Sequence, residues 1–345
     1  MTDKGKSLWD MAEESEGKQE LKDEEVKKVY SAMGEITSGL RNEVGKVVVG
    51  QQDVLEQILI AVCCGSHALL EGFPGLGKTL MVRTLADVMD LSFKRVQCTP
   101  DIMPSDITGT YIIVEDDAGR KSFHFERGPI FSNVVLADEI NRATPKAQSA
   151  LLESMQEKQV TVGNSTYKLD PPFFVLATQN PIEMEGTYPL PEAQLDRFLV
   201  KILVDYPKRE EEGEIINLYA SEKQPSVQKV LTKKHLLVLQ DLTRKMPMSE
   251  DLKEKVLDIV TNTRPGKNKF AKKYLDYGAS PRAAIGLVLG AKARALISGR
   301  NYVNKQDVKF MAYPILRHRL ILNFESERKG ISADEVIEEI LHEVG

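Results

Sequence analysis

The chain has 345 residues, of which 42% are hydrophobic, and a formal net charge of −5. This length and composition indicate a globular protein with one large domain or two ordinary ones. The lack of a basic excess argues against a nucleic-acid partner, and no apolar run reaches the ~20 residues that would span a bilayer.

Residues 1–25 are charged and poor in apolar side chains, so we expect a flexible acidic leader. The opening MTDKGKSLWD lacks the apolar core of a secretory signal, and a cytoplasmic location is expected. Two stretches with helical spacing follow, on either side of Gly50. Cys63 and Cys64 have neither disulfide-framework nor zinc-site spacing, so they are expected to be small core residues.

Residues 26–206 alternate between strand-like and helix-like segments. The strand-like runs are HALL, SFKRVQC, NVVLAD, FFVLATQN and FLVKILVD. Alternation of this kind is typical of a doubly wound parallel sheet covered by helices on both faces. We therefore predict an α/β nucleotide-binding domain over this range.

The run GFPGLGKT, from Gly72 to Thr79, matches the phosphate-loop pattern G-x-x-x-x-G-K-[ST]. Its glycines let the backbone N–H groups point at phosphate oxygens, and the helix that follows adds its positive dipole end. Lys78 is expected to reach the β and γ phosphates, and Thr79 to ligate magnesium. The sequence therefore predicts a Mg²⁺–nucleotide site.

Polar residues end two further predicted strands. Asp138 closes NVVLAD and would hold the metal through its water shell, while Glu139 could polarise the attacking water as general base. Asn180 follows FFVLATQ and could contact the γ phosphate or orient that water, although an Asn before proline is also a turn former. Strand ends of a doubly wound sheet meet at the edge where ligands bind.

After Pro207 the pattern becomes helical, and residues 207–345 are predicted to form an all-helical lid domain. One run in this part, NKQD at Asn304–Asp307, matches a guanine-recognition pattern of GTPases. It does not follow a strand near the phosphate loop, so Asn304 is better explained as the N-cap of a helix.

Three long motifs resemble the MoxR family of AAA+ ATPases, in the helix-2-insert branch. They are VLADEINRATPKAQSALLESMQEKQVTV, ATQNPIEMEGTYPLPEAQLDRF and GASPRA, and the resemblance extends from about Val29 to the end of the chain. It implies a P-loop AAA+ core with a helical lid, ATP hydrolysis, and ATP and Mg²⁺ as cofactors.

The resemblance also assigns roles to residues. Lys78 and Thr79 fall on Walker A, Asp138 and Glu139 on Walker B, Asn180 on sensor 1, Arg197 on the arginine finger and Arg282 on sensor 2. The implied nucleotide-binding set is Val49, Gly50, Gly72, Pro74, Gly75, Leu76, Gly77, Lys78, Thr79, Leu80 and Asp138. Within it, the segment around Val49 and Gly50 would lie beside the adenine.

A finger arginine acts on the nucleotide of the next subunit, so the resemblance implies a ring, expected to be a hexamer. Arg282 on the lid is expected to contact the phosphates of its own subunit. Arg142 is a competing candidate for the trans-acting arginine. For Arg197 and Arg282 the alternative is a surface ion pair.

Two β-hairpins are expected within the α/β domain, around EDDAGRK and around the turn GNS. In the family such hairpins line the pore or upper face of the ring. The resemblance also implies a von Willebrand A-domain partner, encoded separately, and a protein client.

The expected function is therefore that of a chaperone-like remodeller or maturation factor for a protein complex. A nucleotide-controlled binding switch is the alternative. A DNA translocase is disfavoured by the acidic balance and by the lack of interleaved aromatic and basic residues.

Overall fold

The computed structural model describes residues 23–117, 119–182, 186–221 and 225–344. The prediction for the acidic leader, residues 1–25, therefore falls almost wholly outside the described residues.

The first part of the chain alternates between helices and strands, as the sequence predicts. In chain order its elements are α1 Asp23–Gly45, α2 Gln52–Cys63, β1 Ala68–Gly72, α3 Lys78–Val88, β2 Phe93–Gln97, α4 Pro104–Thr108, β3 Gly109–Glu115, β4 Lys121–Arg127, β5 Val134–Asp138, α5 Pro145–Glu157, β6 Gln159–Val162, β7 Ser165–Lys168, β8 Phe174–Gln179, α6 Glu192–Leu195 and β9 Val200–Val204. All five predicted sheet strands are present.

The central sheet is parallel, with the strand order β2-β5-β8-β1-β9. Its side chains alternate between two apolar clusters. On β5, Val134 and Leu136 face one cluster, whereas Val135 and Ala137 face the other. Because both faces of the sheet are covered, the inner strands are mainly apolar runs, which is why they could be recognised in the sequence, whereas the edge strand β2 carries exposed polar residues. Parallel strands also bring the polar residues at their carboxyl ends to one edge of the sheet.

Both expected hairpins are present, β3–β4 and β6–β7. They contact each other through aromatic side chains. The rings of Phe125 and Tyr167 stack at 4.4 Å, and the hydroxyls of Tyr111 and Tyr167 lie 2.8 Å apart. Beyond this contact the β3–β4 hairpin is exposed, and the side chains of the cross-strand pair Ile113 and Phe123 are 63% and 76% exposed.

The remaining elements are mainly helical: α7 Arg209–Tyr219, α8 Lys233–Lys245, α9 Glu250–Asn262, α10 Lys269–Tyr274, β10 Leu275–Tyr277, α11 Pro281–Ile297, α12 Lys305–Leu316, β11 Ile321–Leu322, α13 Phe324–Arg328 and α14 Ala333–Val344. The two short strands pair with each other, an addition to the helical lid that the sequence pattern did not indicate. The domain boundary near Pro207 stays a prediction.

Helix α11 is the central helix of the lid and contacts α1, α2, α8, α9 and α12. Its small residues allow close packing: a Cβ on Gly290 would meet the Met311 side chain at 2.9 Å. Asn304 caps α12 by accepting a hydrogen bond from the Asp307 N–H at 3.0 Å, which confirms the N-cap interpretation of NKQD.

Three consecutive residues after α12 fasten the lid to the strand β9. Arg317 donates to the carbonyl of Lys201 at 2.8 Å, the His318 Nε2 lies 3.1 Å from the carbonyl of Phe198, and Arg319 donates to the carbonyl of Leu199 at 3.0 Å. His318 and Arg319 are both buried. The lid is therefore held against the amino end of β9. No helix in the described ranges is long and apolar enough to cross a membrane.

Candidate active site

The phosphate loop joins β1 to α3. Gly75 and Gly77 have φ values of 83° and 73°, in the left-handed region that favours glycine. Among the described residues, apart from the chain neighbours of each glycine, no atom lies within 4 Å of the position that a Cβ would take at either residue. The loop therefore has open space around its backbone, as a cradle for phosphate needs. Gly72 is required for another reason, because a Cβ there would collide with the carbonyl oxygen of Val204 on β9.

Lys78 begins helix α3, and its ammonium group lies within the loop. Its Nζ donates to the carbonyl oxygens of Gly72 and of Phe73, the latter at 2.9 Å. Burial lowers the pKa of Lys78, while the negative charges of Asp138 and Glu139 act in the opposite direction. Both of these hydrogen-bond acceptors are neutral carbonyl groups. An anionic ligand in the loop would therefore be a stronger hydrogen-bond partner for the ammonium.

Asp138, at the carboxyl end of β5, is buried and lies beside Thr79. The Thr79 hydroxyl donates to Asp138 Oδ2 at 3.2 Å, and the Thr178 hydroxyl donates to Oδ1 at 2.5 Å. A hydroxyl and a carboxylate side by side are oxygen ligands of the kind that Mg²⁺ takes together with phosphates and water. These residues therefore fit a magnesium–nucleotide site.

Glu139 follows Asp138 in a left-handed conformation, with φ of 56°. Its backbone N–H donates to the Thr178 hydroxyl at 2.8 Å, which fixes the turn. Its Oε2 accepts from the Gln97 amide at 2.9 Å and lies 3.2 Å from Arg142. The carboxylate of the candidate base is therefore held by two neighbours.

Asn180 is buried and follows β8, which lies between β5 and β1 in the sheet. Its side-chain oxygen accepts from the Ile182 N–H at 3.2 Å. This contact is typical of the turn-forming asparagine that the sequence analysis gave as the alternative to a role at the γ phosphate. It does not engage the amide nitrogen of Asn180, and the residue follows its strand at the same edge as Asp138.

An apolar cleft of about 260 Å³ lies next to the phosphate loop. Of the predicted nucleotide set, it is lined by Val49, Gly75, Leu76, Gly77 and Leu80. Gly50 adjoins it in the chain, and Pro74 is an exposed residue of the loop. The lid completes the cleft with Ile215 and Tyr219 of α7, and the Tyr219 hydroxyl donates to the Val47 carbonyl at 2.6 Å. The cleft has the position and apolar lining that an adenine ring needs.

Arg197 and Arg282 lie at the opposite edge of the sheet. They line a second cleft of about 260 Å³ together with Ser66 and His67, which precede β1. Arg197 donates to the Leu152 carbonyl at 2.7 Å, and Arg282 lies 3.2 Å from the Asp196 carboxylate.

This placement differs from the expectation that Arg282 contacts the phosphates of its own subunit. Strand β1 separates the cleft from the phosphate loop, and five residues span roughly 16 Å at about 3.3 Å per residue. That distance exceeds the reach of an arginine side chain. Asp196, in the loop before β9, contacts Arg282 at the start of α11. Arg282 therefore lies near Arg197, on the same side of the sheet.

The sequence interpretation missed three polar residues at the carboxyl edge: Arg95, Gln97 and Thr178. Arg95 and Gln97 alternate with Val96 on β2, and their spacing of two residues places both on one face of the strand. Arg95 Nε donates to Asp138 Oδ2 at 2.9 Å. The signal in the sequence was the pair of polar residues two positions apart on β2, the strand that pairs with β5 and its terminal Asp138.

The parallel sheet, the phosphate loop, the paired acidic residues and the helical lid define an ATPase of the AAA+ class. A family model described as "ATPase family associated with various cellular activities (AAA)" matches residues 67–200, and a model of the AAA lid domain matches residues 268–340. A candidate ATPase from Cytophaga hutchinsonii, known from a crystal structure, is 48% identical with a TM-score of 0.85, and the match covers 93% of this chain and 97% of that one.

Two named relatives identify the family within this class. The chaperone MoxR1 of Mycobacterium tuberculosis is 45% identical over 306 residues, which cover 88% of this chain and 80% of that protein. The protein MoxR of Paracoccus denitrificans is 31% identical over 309 residues, which cover 83% of this chain and 89% of that protein. The chain belongs to the MoxR family of AAA+ ATPases. The resemblance inferred from the motifs is thereby confirmed.

Proposed function

We propose that the protein binds ATP with Mg²⁺ at the phosphate loop and hydrolyses it, in a ring whose active sites are shared between neighbouring subunits. One observation carries the proposal. The candidate nucleotide-binding residues lie at the carboxyl edge of the sheet, whereas Arg197 and Arg282 lie at the amino edge, out of reach of the same nucleotide. A neighbour in a closed ring brings the two edges together.

In this site Lys78 contacts the β and γ phosphates, and the loop N–H groups hold their oxygens. Thr79 would ligate the metal and Asp138 would hold it through its water shell, and the bound metal would neutralise charge on the γ phosphate. Glu139 takes a proton from the attacking water, and Asn180 orients that water. Arg197, with Arg282 beside it, stabilises the charge on the γ phosphate of the neighbouring subunit. Arg142 keeps its position near Glu139 and remains the competing trans-acting candidate.

We propose that hydrolysis serves a chaperone-like role, the remodelling or maturation of a protein complex in a homohexamer. The name of the chaperone MoxR1 supports this role. The exposed β3–β4 hairpin offers apolar side chains to a client, and a von Willebrand A-domain protein is the proposed partner. The cytoplasmic location stays a prediction.

A nucleotide-controlled binding switch is the second candidate, and the state of Glu139 favours it. A carboxylate held by both Gln97 and Arg142 is a poor base until those contacts are released. A partner that accelerates hydrolysis many-fold would support the switch, whereas fast basal hydrolysis would support a remodeller that works without one.

The variant Glu139→Gln tests the hydrolytic site. Loss of a general base costs about 10²–10⁴ in rate, so phosphate release should fall by at least ~100-fold while a fluorescent ATP analogue still binds. The control is Glu157→Gln, which changes an exposed carboxylate at the end of α5. Unchanged phosphate release by Glu139→Gln would contradict the proposed role of this residue.

A further inference from the structure

Arg95 contacts the candidate metal ligand directly. Its Nε and one terminal nitrogen lie 2.9 Å and 2.7 Å from Asp138 Oδ2. The same oxygen accepts the Thr79 hydroxyl. The other oxygen, Oδ1, accepts from Thr178. The oxygen that is shared by the two candidate metal ligands is therefore also the oxygen that the guanidinium holds.

A guanidinium and a divalent cation compete for such an oxygen. A metal-bound water and the guanidinium would both donate to the same carboxylate oxygen, and the two cations repel each other even at an intermediate dielectric constant. Arg95 neutralises the carboxylate charge that would attract Mg²⁺. The two partners can therefore not bind Asp138 Oδ2 with full strength at the same time.

The solvent exposure of the two side chains indicates which of them moves when the pair separates. The Arg95 side chain is 47% exposed, whereas that of Asp138 is 11% exposed. Arg95 lies on the edge strand β2, where its long side chain can turn into solvent. Asp138 is held at the end of a central strand by Thr178. Arrival of a cation would therefore displace the arginine and leave the carboxylate in place.

We infer that Arg95 is an internal competitor of the metal: it occupies Asp138 when no metal is bound, and Mg²⁺ must displace it to enter the site. The inference rests on the proposed Mg²⁺–nucleotide site. One consequence is a weaker metal affinity than the ligands alone would give. Another is that the carboxylate keeps a positively charged partner when no metal–nucleotide complex is bound.

The test measures Mn²⁺ as the probe metal. The full-length protein is saturated with ADP, and free Mn²⁺ is counted by electron paramagnetic resonance during a titration. Loss of a partly exposed ion pair should tighten Mn²⁺ binding by about two- to fivefold in Arg95→Gln. Lys94→Gln is the matched control, because Lys94 is an exposed cation on the same strand. It should leave Mn²⁺ binding nearly unchanged.

Unchanged Mn²⁺ affinity in Arg95→Gln would overturn the inference, and so would an equal gain in Lys94→Gln, which would point to net charge alone. Weaker binding of ADP in EDTA by Arg95→Gln would also overturn it, because the arginine would then contact phosphate. Asp138→Asn distinguishes a failure of the proposed site. If that variant binds Mn²⁺ as tightly as the unchanged protein, the metal assignment itself is wrong.

Discussion

The two edges of the central sheet are built in different ways. At the carboxyl edge Asp138 is buried, but the side chains that contact the two acidic residues are exposed: Gln97 donates to Glu139, and Arg95 pairs with Asp138. At the amino edge the supporting contacts are buried. Arg319 is 3% exposed and holds Asp196 at 2.6 Å, while His67 and His318 bind backbone groups in the interior.

The difference fits the roles proposed for the two edges. Side chains that exchange partners when a nucleotide binds need contacts that break at low cost. At the amino edge Arg197 and Arg282 lie beside Asp196, which pairs with the buried Arg319 and so joins the loop before β9 to the lid. If these arginines act on a neighbouring subunit, their position follows that of the lid.

The largest expected effect on stability comes from Arg319→Ala. Removal of one partner of a buried ion pair costs about 3–5 kcal/mol, because the remaining polar groups lose their partner in the interior. The midpoint of thermal unfolding should fall clearly. Arg282→Ala is the matched control: it pairs with the same carboxylate, but its side chain is 52% exposed, so its loss should cost less than about 1 kcal/mol. Equal losses would contradict the contrast between buried and exposed pairs.

A smaller effect is expected from acid. Burial lowers the pKa of His67 to about 4, from an ordinary value of 6.5. The unfolded chain therefore binds a proton between these values that the folded protein does not, and stability falls as the pH decreases from about 6.5 towards 4. At pH 5 this histidine alone should cost about 2 kcal/mol relative to pH 7.

Burial also lowers the pKa of His318 well below its ordinary value, which adds to the loss in the same direction. Thermal unfolding between pH 7 and pH 5 measures the effect. In His67→Gln the stability should depend less steeply on pH, whereas His342→Gln, at an exposed position of α14, should retain the full dependence. A variant of His67 with an unchanged slope would show that another group is responsible.

The smallest effect is expected at the carboxyl edge. Gln97→Ala removes a hydrogen bond of 2.9 Å to Glu139. Because the Gln97 side chain is exposed, water replaces the amide, and the free energy of unfolding should change by no more than about 0.5 kcal/mol. A thermal shift as large as that of Arg319→Ala would mean that the carboxyl edge is as rigid as the amino edge.

The sequence predicted the sheet and the phosphate loop because both depend on local patterns. Buried parallel strands are apolar runs, and the glycines of the loop stand at fixed spacing. The position of Arg282 could not be predicted in this way. The position of Arg282 depends on where the lid docks. Docking depends on Arg317, His318 and Arg319 at the end of a helix, and these three residues do not stand out in the sequence. Arg95 was missed because its partner lies on another strand.

Two variants can test whether each active site takes its arginine from a neighbouring subunit, as proposed above. Lys78→Ala removes the ammonium proposed to bind phosphate but keeps Arg197, and Arg197→Ala does the reverse. Each variant alone should hydrolyse little ATP. The measurement is phosphate release after the two variants are mixed in equal amounts and allowed to exchange subunits.

If the site is shared, random mixing places an intact nucleotide site against an intact arginine in about one quarter of the interfaces, and roughly that fraction of the original rate should return. Mixing Lys78→Ala with the double variant should restore nothing. A mixture no more active than the sum of its two components, in rings that exchange subunits, would contradict the account.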